Sequence, residues 1–298
     1  MVAQLMTRLL IVNADDFGIH ADVNRGIVNA YRHGAVRSAS VMVNMQAFAD
    51  AVCLAGETPG LEVGLHLNVT SGPCVAPPRL LPLLVNNDGL FRFSEHDIPT
   101  AMSGFWELAD GSQAFAEQIR IEGEYQLERL LSNGLFPGHL TIHHYLSLLH
   151  PRILEVYLDL AESARLPCRA ISRPISEIFG VSVEAERVMF ARLAISTVRS
   201  PVESISNLLD GSSERCSPDV YRDLIIARLR WLCGRSESVS LELVTHPADL
   251  TPIVRKLDTV YLWARELETA LVLDPVFLSA VAELGLTLGG YQQLLTFR

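Results

Sequence analysis

The chain has 298 residues, of which 49% are hydrophobic and 19% are charged. These proportions exclude an intrinsically disordered chain and are typical of a globular protein with a large core. The formal net charge of −10 at pH 7 argues against a nucleic-acid-binding surface, which is normally basic. Five scattered cysteines without a CxxC pair indicate neither a disulfide framework nor a cysteine-ligated zinc site.

The N-terminal residues contain no apolar segment of useful length before the first acidic residues, so we expect no signal peptide. No uncharged apolar stretch approaches the length of a membrane span. We therefore expect a cytoplasmic protein. The absence of a repeat, linker or low-complexity tract predicts a single domain over residues 1–298.

The first 68 residues alternate between strand and helix patterns. The apolar run Leu9–Val12 predicts a strand buried on both faces, and Asp15 and Asp16 follow at its carboxyl end. The elements predicted next are a helix over His20–His33, a strand over Ala35–Asn44, a helix over Ala47–Ala55 and a strand over Leu61–Asn68. This alternation predicts an α/β fold in which helical crossovers join parallel strands.

Residues 70–112 lose this periodicity, and their five prolines predict a long irregular insertion with a short hairpin near Asn87–Gly89. A loop of this length directly after a strand is more often functional than not. Phe91, Phe93 and Trp106 in this insertion could stack on a ring-shaped substrate or simply pack within the loop.

The remaining chain continues the alternation. Predicted helices cover Gln113–Asn133, Pro151–Leu166, Pro218–Cys233, Leu257–Leu271 and Pro275–Leu284, and predicted strands cover Gly138–His143, Ser238–His246 and Leu286–Leu288. On the first of these helices, the predicted buried stripe consists of Ile119, Gly123, Leu127, Leu130 and Leu131. Residues 168–215 are the least regular, and we predict a short strand at Cys168–Ile171, a helix over Ala185–Val198 and an exposed loop over Ser200–Arg215.

Four predicted strand ends carry the polar residues Asp15 and Asp16, His66, His143 and His144, and His246. Carboxylate and imidazole together suit Zn²⁺, or a harder ion if water completes the coordination. We predict Asp16, His66 and His143 as metal ligands, which leaves an open position for an activated water. Asp15 would then be the general base and His246 the general acid.

Other polar residues keep two interpretations. His139 lies on the same strand face as His143 but further back, and Glu242 either orients a histidine or is solvated. Arg169 and Arg173 either contact substrate or line a loop. His20, His33, His96 and His150 are interpreted as structural, because a lone strand or loop histidine is more often a hydrogen-bonded residue than a ligand.

Several of these motifs resemble the YdjC-type carbohydrate deacetylase family, which includes chitooligosaccharide deacetylases and hopanoid-associated relatives. The matching stretches, in the family's order, are Asn13–Gly18 (NADDFG), Gly64–Asn68 (GLHLN) with Thr70 and Gly72, His139–Pro151, and Thr245–Pro247 (THP). The resemblance implies a (β/α) barrel-like fold and metal-dependent hydrolysis of an acetamido group on an amino sugar. It also implies Asp16, His66 and His143 as ligands of one divalent ion (Mg or Zn), Asp15 as the base, His246 as the second catalytic group, and a homodimer.

One motif departs from the family pattern. Relatives usually carry Asp-Ser-His where this chain has Thr141-Ile142-His143, so a group that would orient a ligand is replaced. His144 is a substitute ligand if the strand register shifts by one residue. Two alternatives to the deacetylase therefore stay open: a catalytically silent or altered sugar-binding protein, and a metal-dependent amide or ester hydrolase of other specificity.

Overall fold

The computed structural model describes residues 8–92, 107–109, 112–144, 150–169, 203–204, 216–235, 239–257 and 262–295. Its strands are β1 (Arg8–Phe17), β2 (Ser38–Val41), β3 (Glu62–Leu67), β4 (Leu140–Ile142), β5 (Glu203–Ser204), β6 (Val239–Thr245) and β7 (Thr287–Gly289). All their pairings are parallel, in the order β4-β3-β2-β1-β6-β5, with β7 also paired to β1. The sheet curls into a half-barrel with helices, which confirms the predicted α/β, (β/α) barrel-like fold.

The helices of the described residues are α1 (Ala21–His33), α2 (Phe48–Gly56), α3 (Gln113–Ser132), α4 (Pro151–Ala164), α5 (Pro218–Cys233), α6 (Val254–Leu257), α7 (Leu262–Leu273) and α8 (Pro275–Glu283). Short 3-10 helices cover Pro78–Leu80 and Tyr291–Leu295. Among these residues, no helix combines the length and apolar character that crossing a membrane requires.

Strand β1 is the centre of the sheet. One edge of β1 pairs with β6 from Arg8 to Ala14, while β7 and β2 pair with successive parts of the strand. Its residues from Leu9 to Phe17 are all buried, as the apolar run predicted. Burying branched side chains on both faces stabilises such a strand by roughly 1.5–3 kcal/mol per residue. The acidic pair at the end of β1 is therefore delivered into the interior of the protein.

Most predicted elements are confirmed to within a few residues; the helix predicted over Leu257–Leu271, for example, corresponds to α7. Two expectations are wrong. The predicted loop Ser200–Arg215 contains β5, a two-residue strand that pairs with β6. Leu131, placed on the buried stripe of α3, is 46% exposed.

Several sequence predictions lie outside the described residues. These are the helix over Ala185–Val198 and the side chains of Phe93, His96, Trp106 and Arg173. Phe91 is buried in the core rather than presented to a ligand.

Helix α3 fastens the first part of the irregular insertion with polar side chains that the sequence pattern did not single out. Gln118, Glu122 and Gln126, one turn apart, are all buried. The Glu122 carboxylate accepts hydrogen bonds from the backbone N–H of Val75 and Ala76 and from the side chain of Gln126. Gln126 hydrogen-bonds the backbone of Asn68, before these residues, and Gln118 accepts the backbone N–H groups of Leu83 and Leu84, after them. These bonds hold the loop after β3 against the helix.

Removing the Glu122 carboxylate should destabilise the protein substantially. We expect Glu122→Ala to lower the free energy of unfolding by about 2–3 kcal/mol, because buried N–H donors lose their acceptor. Glu124→Ala on the exposed side of the same helix is the control and should change it by less than about 1 kcal/mol. Urea denaturation of both variants checks this, and equal effects would contradict it.

Candidate functional site

The predicted site residues meet at the carboxyl ends of the strands. His66 Nε2 lies 3.7 Å from Asp15 Oδ2 and 3.6 Å from Asp16 Oδ1. His143 Nδ1 lies 3.3 Å from Asp16 Oδ1, and His246 Nε2 lies 4.0 Å from Asp15 Oδ2. The ends of β1, β3, β4 and β6 thus bring these ionisable groups together in one cluster.

A bulge in β1 lets two consecutive aspartates face the same cluster. Adjacent residues of a regular strand point to opposite faces of the sheet. Here Ala14 pairs with Ala39 while Phe17 pairs with Val41, so β1 carries one extra residue. Asp16 adopts a left-handed backbone conformation with φ 68°, which aspartate tolerates better than most residues. Both carboxylates can therefore approach His66.

Gly18 completes this turn. Its φ is +101°, and a Cβ atom there would lie 2.9 Å from the carbonyl oxygen of Met42. Its N–H donates to the side chain of Asn24 on α1 at 2.6 Å. Glycine is therefore required where the chain leaves the acidic pair.

Asp16, His66 and His143 form a group whose donor atoms all lie within 4.8 Å of one another. Asp16 Oδ2 accepts a hydrogen bond from Arg265 on α7, but Asp16 Oδ1 is buried without a hydrogen-bond partner among the described residues. An unpaired buried carboxylate oxygen is costly unless a cation binds it. One carboxylate and two imidazoles are a set of donors that fits a divalent metal ion such as Zn²⁺.

Burial and neighbouring charges put Asp16 and His66 in the forms that can bind a metal ion. Burial alone would raise the pKa of Asp16, but the Arg265 guanidinium opposes it and the pKa falls well below its usual value. Burial lowers the pKa of His66 to about 3, so this imidazole is neutral at physiological pH. Metal ions bind the ionised carboxylate and the neutral imidazole.

Asp15 is held differently from its neighbour. Arg169 donates two hydrogen bonds to its carboxylate, at 2.6 and 2.8 Å, and Asn13 donates a third at 2.7 Å. Burial opposes ionisation, but the charge and hydrogen bonds of Arg169 prevail and hold the pKa of Asp15 well below its usual value. Both oxygens of Asp15 are hydrogen-bonded, whereas no residue in the described part of the chain hydrogen-bonds Oδ1 of Asp16.

His246 is oriented by a second carboxylate. Its ring Nδ1 lies 3.0 Å from Glu268 Oε2 on α7, which also accepts the backbone N–H of His246 at 2.8 Å. Burial lowers the pKa of this histidine, but the charge and hydrogen bond of Glu268 outweigh burial and the pKa is raised. The bond at Nδ1 leaves Nε2 facing Asp15.

A closed ring of contacting buried side chains, which we call the polar ring, holds Asp15 from the inside of the barrel. One arm runs from Asp15 through Arg169 and Glu242 to the hydroxyl of Tyr291. The other arm runs from Asp15 through Asn13 and Ser40 to His139, whose ring stacks on Tyr291 with centroids 4.2 Å apart. His139 also contacts Glu62 at 3.1 Å. The ring closes on itself and fixes both oxygens of Asp15.

Three residues had two interpretations each in the sequence: Arg169, Glu242 and His139. In the structure all three are buried and hydrogen-bonded within the polar ring. His144 is not in the ligand group; its Nδ1 lies 3.1 Å from the Thr70 hydroxyl. Of the four histidines interpreted as structural, His20 and His150 cap the first turns of α1 and α4.

Sequence reasoning missed Arg265, Glu268 and Tyr291. The first two lie three residues apart on α7, and nothing in their spacing distinguishes them from an exposed ion pair. The one sequence feature that could have drawn attention to them is that α7 follows the Thr245–Pro247 motif. Tyr291 carried no signal in the sequence at all.

Comparison with known proteins identifies the family of this chain. A family model described as "YdjC-like protein" matches residues 9–283. A chitooligosaccharide deacetylase from Enterobacter sp. (strain 638) is 30% identical over 97% of this chain and 100% of the relative. A carbohydrate deacetylase from Brevibacillus brevis is 42% identical over 54% of this chain and 58% of the relative.

A solved structure shares the fold. The crystal structure of an Enterococcus faecalis V583 protein, described as a cellobiose-phosphate cleavage protein, superposes with a TM-score of 0.74. The two sequences are 25% identical, and the match covers 97% of this chain and 99% of the other. On the family match and this fold, the chain belongs to the YdjC-like protein family.

Proposed function

We propose that this protein is a metal-dependent hydrolase that removes the N-acetyl group of an amino sugar and releases acetate. The substrate class comes from the relatives named as carbohydrate and chitooligosaccharide deacetylases. The observation that carries the metal dependence is Asp16 Oδ1, which is buried between His66 and His143 and has no hydrogen-bond partner among the described residues. An N-acetylglucosamine-containing oligosaccharide or glycoconjugate fits this proposal.

Asp16, His66 and His143 would hold one divalent ion. When bound, the ion would polarise the acetyl carbonyl and lower the pKa of a water. Two imidazoles favour Zn²⁺, whereas Mg²⁺ prefers oxygen ligands and would need several waters here. We propose Zn²⁺ or Mg²⁺, with the ligand set favouring the former.

In this mechanism Asp15 accepts the proton of the attacking water. Arg169 keeps the Asp15 carboxylate ionised, and the polar ring fixes its orientation. A base with such a low pKa is weak, so it is effective only toward a water that is itself unusually acidic. Asp15 Oδ2 is the oxygen that faces the cluster of histidines.

His246 donates a proton to the departing amine of the sugar. Glu268 holds its ring and keeps it protonated to higher pH than an isolated histidine, as a general acid requires. The side chains of His246 and His143 are 16% and 11% exposed, whereas those of Asp15 and His66 are almost fully buried. Substrate would therefore approach from the side of the two exposed histidines.

The site favours an enzyme over a silent sugar-binding protein. A binding protein would need neither an ionised Asp15 at 4.0 Å from His246 nor a carboxylate that holds this histidine charged. A hydrolase acting on other amides or esters would use the same groups, so substrate comparison separates the two. The cytoplasmic location, the single domain and the homodimer stay predictions.

Metal content tests the ligand assignment. We expect the purified protein, after loading with Zn²⁺, to bind about one equivalent and the His66→Ala variant to bind almost none, because an open three-residue site cannot lose a ligand without a large loss of affinity. Elemental analysis after gel filtration measures this. His33→Ala, at an exposed position on α1, is the control. A protein that binds neither Zn²⁺, Mn²⁺ nor Mg²⁺ would overturn the proposed mechanism.

Acetate release tests the role of Asp15. We expect Asp15→Asn to retain the metal but to lose at least about 100-fold in kcat on N-acetylglucosamine oligomers, since general base catalysis typically contributes that much. The exposed Asp88→Asn is the control. Loss of the metal together with activity would show that the assignment of Asp15 and Asp16 is wrong, and hydrolysis of aryl esters alone would favour a different specificity.

The pH profile tests the acid. We expect Glu268→Gln to move the alkaline limb of kcat to lower pH, because the lost charge no longer holds the proton on His246. Below the lowered pKa, where His246 is protonated in both proteins, the difference should shrink. The control is Glu266→Gln on the same helix. The Glu266 carboxylate accepts a hydrogen bond from the exposed Arg255, so its loss should leave the alkaline limb in place. An unmoved limb in Glu268→Gln would exclude His246 as the acid.

A further inference from the structure

The hydroxyl of Thr141 contacts Nδ1 of His66, the ring nitrogen that does not face the aspartates. Thr141 on β4 lies directly opposite His66 on β3 in the parallel ladder, and both are buried. Thr141 Oγ1 lies 2.7 Å from His66 Nδ1, a strong hydrogen-bond distance. The same hydroxyl donates to the carbonyl oxygen of Leu65 at 3.4 Å.

Together these two contacts favour one tautomer of His66 over the other. A hydroxyl has one hydrogen, and the Leu65 carbonyl can only accept it. With that hydrogen directed to Leu65, Thr141 Oγ1 accepts the N–H of His66 Nδ1. His66 Nε2 then presents a bare lone pair toward Asp16 Oδ1, 3.6 Å away. This tautomer is the one that a metal ligand binding through Nε2 must have.

We propose that Thr141 is the positioning residue of the metal centre, which fixes the Nδ1–H tautomer and the ring orientation of His66. This inference rests on the proposed metal site and deepens it. Among the described residues, Thr141 is the group that hydrogen-bonds His66 Nδ1. The rings of His66 and His143 form a T-shaped pair with centroids 5.3 Å apart, a contact that limits tilt but fixes no tautomer.

A neutral hydroxyl is sufficient for this role. The Thr141 hydroxyl oxygen accepts the hydrogen bond from His66 Nδ1–H, while the hydroxyl hydrogen points to the Leu65 carbonyl oxygen. Serine keeps the same oxygen, while valine keeps the shape of threonine and removes the oxygen. Valine would leave the Nδ1–H group buried without an acceptor, or allow the hydrogen to move to Nε2 and block the ligand atom.

The test compares Zn²⁺ affinity in three full-length proteins by competition with a chromophoric chelator. We expect Thr141→Val to weaken Zn²⁺ binding roughly 10- to 100-fold, the usual effect of removing a group that orients a metal-bound histidine. Thr141→Ser should bind within about threefold of the parent protein, because the oxygen is kept. Thr58→Val, at another buried threonine, is the control for the substitution itself and should bind as the parent does.

A second readout separates positioning from general damage. Nitrogen NMR of the Zn²⁺-loaded parent and Thr141→Ser proteins should show the His66 ring protonated at Nδ1. If Thr141→Val does not fold, as judged by circular dichroism, Thr141→Ala replaces it. Parent-like Zn²⁺ affinity in a folded Thr141→Val protein, or a His66 ring protonated at Nε2 in the loaded parent, overturns this inference. Failure of the parent itself to bind any divalent ion instead overturns the proposed function.

Discussion

The site depends on neutralising two adjacent buried carboxylates. Asp15 and Asp16 are both almost completely buried, and a buried ion without a partner costs several kcal/mol. Arg169 binds one and Arg265 binds the other, although these arginines come from segments more than 150 and 240 positions away along the chain. The fold can therefore bury Asp15 and Asp16 only when the segments that carry Arg169 and Arg265 have packed against them.

The two arginines also make two chemically identical neighbours different. Arg169 and Asn13 use both oxygens of Asp15, so this carboxylate is anchored and ionised. Arg265 uses one oxygen of Asp16 and leaves Oδ1 between the two imidazoles. The pattern of hydrogen bonds therefore favours Asp16 as the ligand and Asp15 as the base, without reference to any relative.

Helix α7 links the two halves of the proposed mechanism. Arg265 and Glu268 lie on neighbouring turns of one helix face; the first holds the metal-site carboxylate and the second holds His246. A single helix thus positions both the proposed metal ligand Asp16 and the proposed acid His246. A displacement of α7 would alter both, so substitutions that repack this helix should change metal affinity and the pH profile together.

The sequence by itself determined the parallel α/β framework, through the apolar run of β1 and the alternation of strands and helices. It also indicated Asp15, Asp16, His66, His143 and His246, because polar residues at the ends of buried strands must meet at one edge of a parallel sheet. Strands and helices repeat with a fixed period, and the polar residues stand at the ends of these repeats. Both can therefore be recognised from one amino-acid sequence.

Only the tertiary structure decided how these groups are held. The bulge against β2 that lets Asp15 and Asp16 face one cluster, the burial of Arg169 and Arg265, and the contact of Thr141 with His66 all depend on residues distant in sequence. An arginine that neutralises a buried carboxylate looks the same in the sequence as one that is solvated. Its partner is chosen by the folding of the whole barrel, and so is the difference between Asp15 and Asp16.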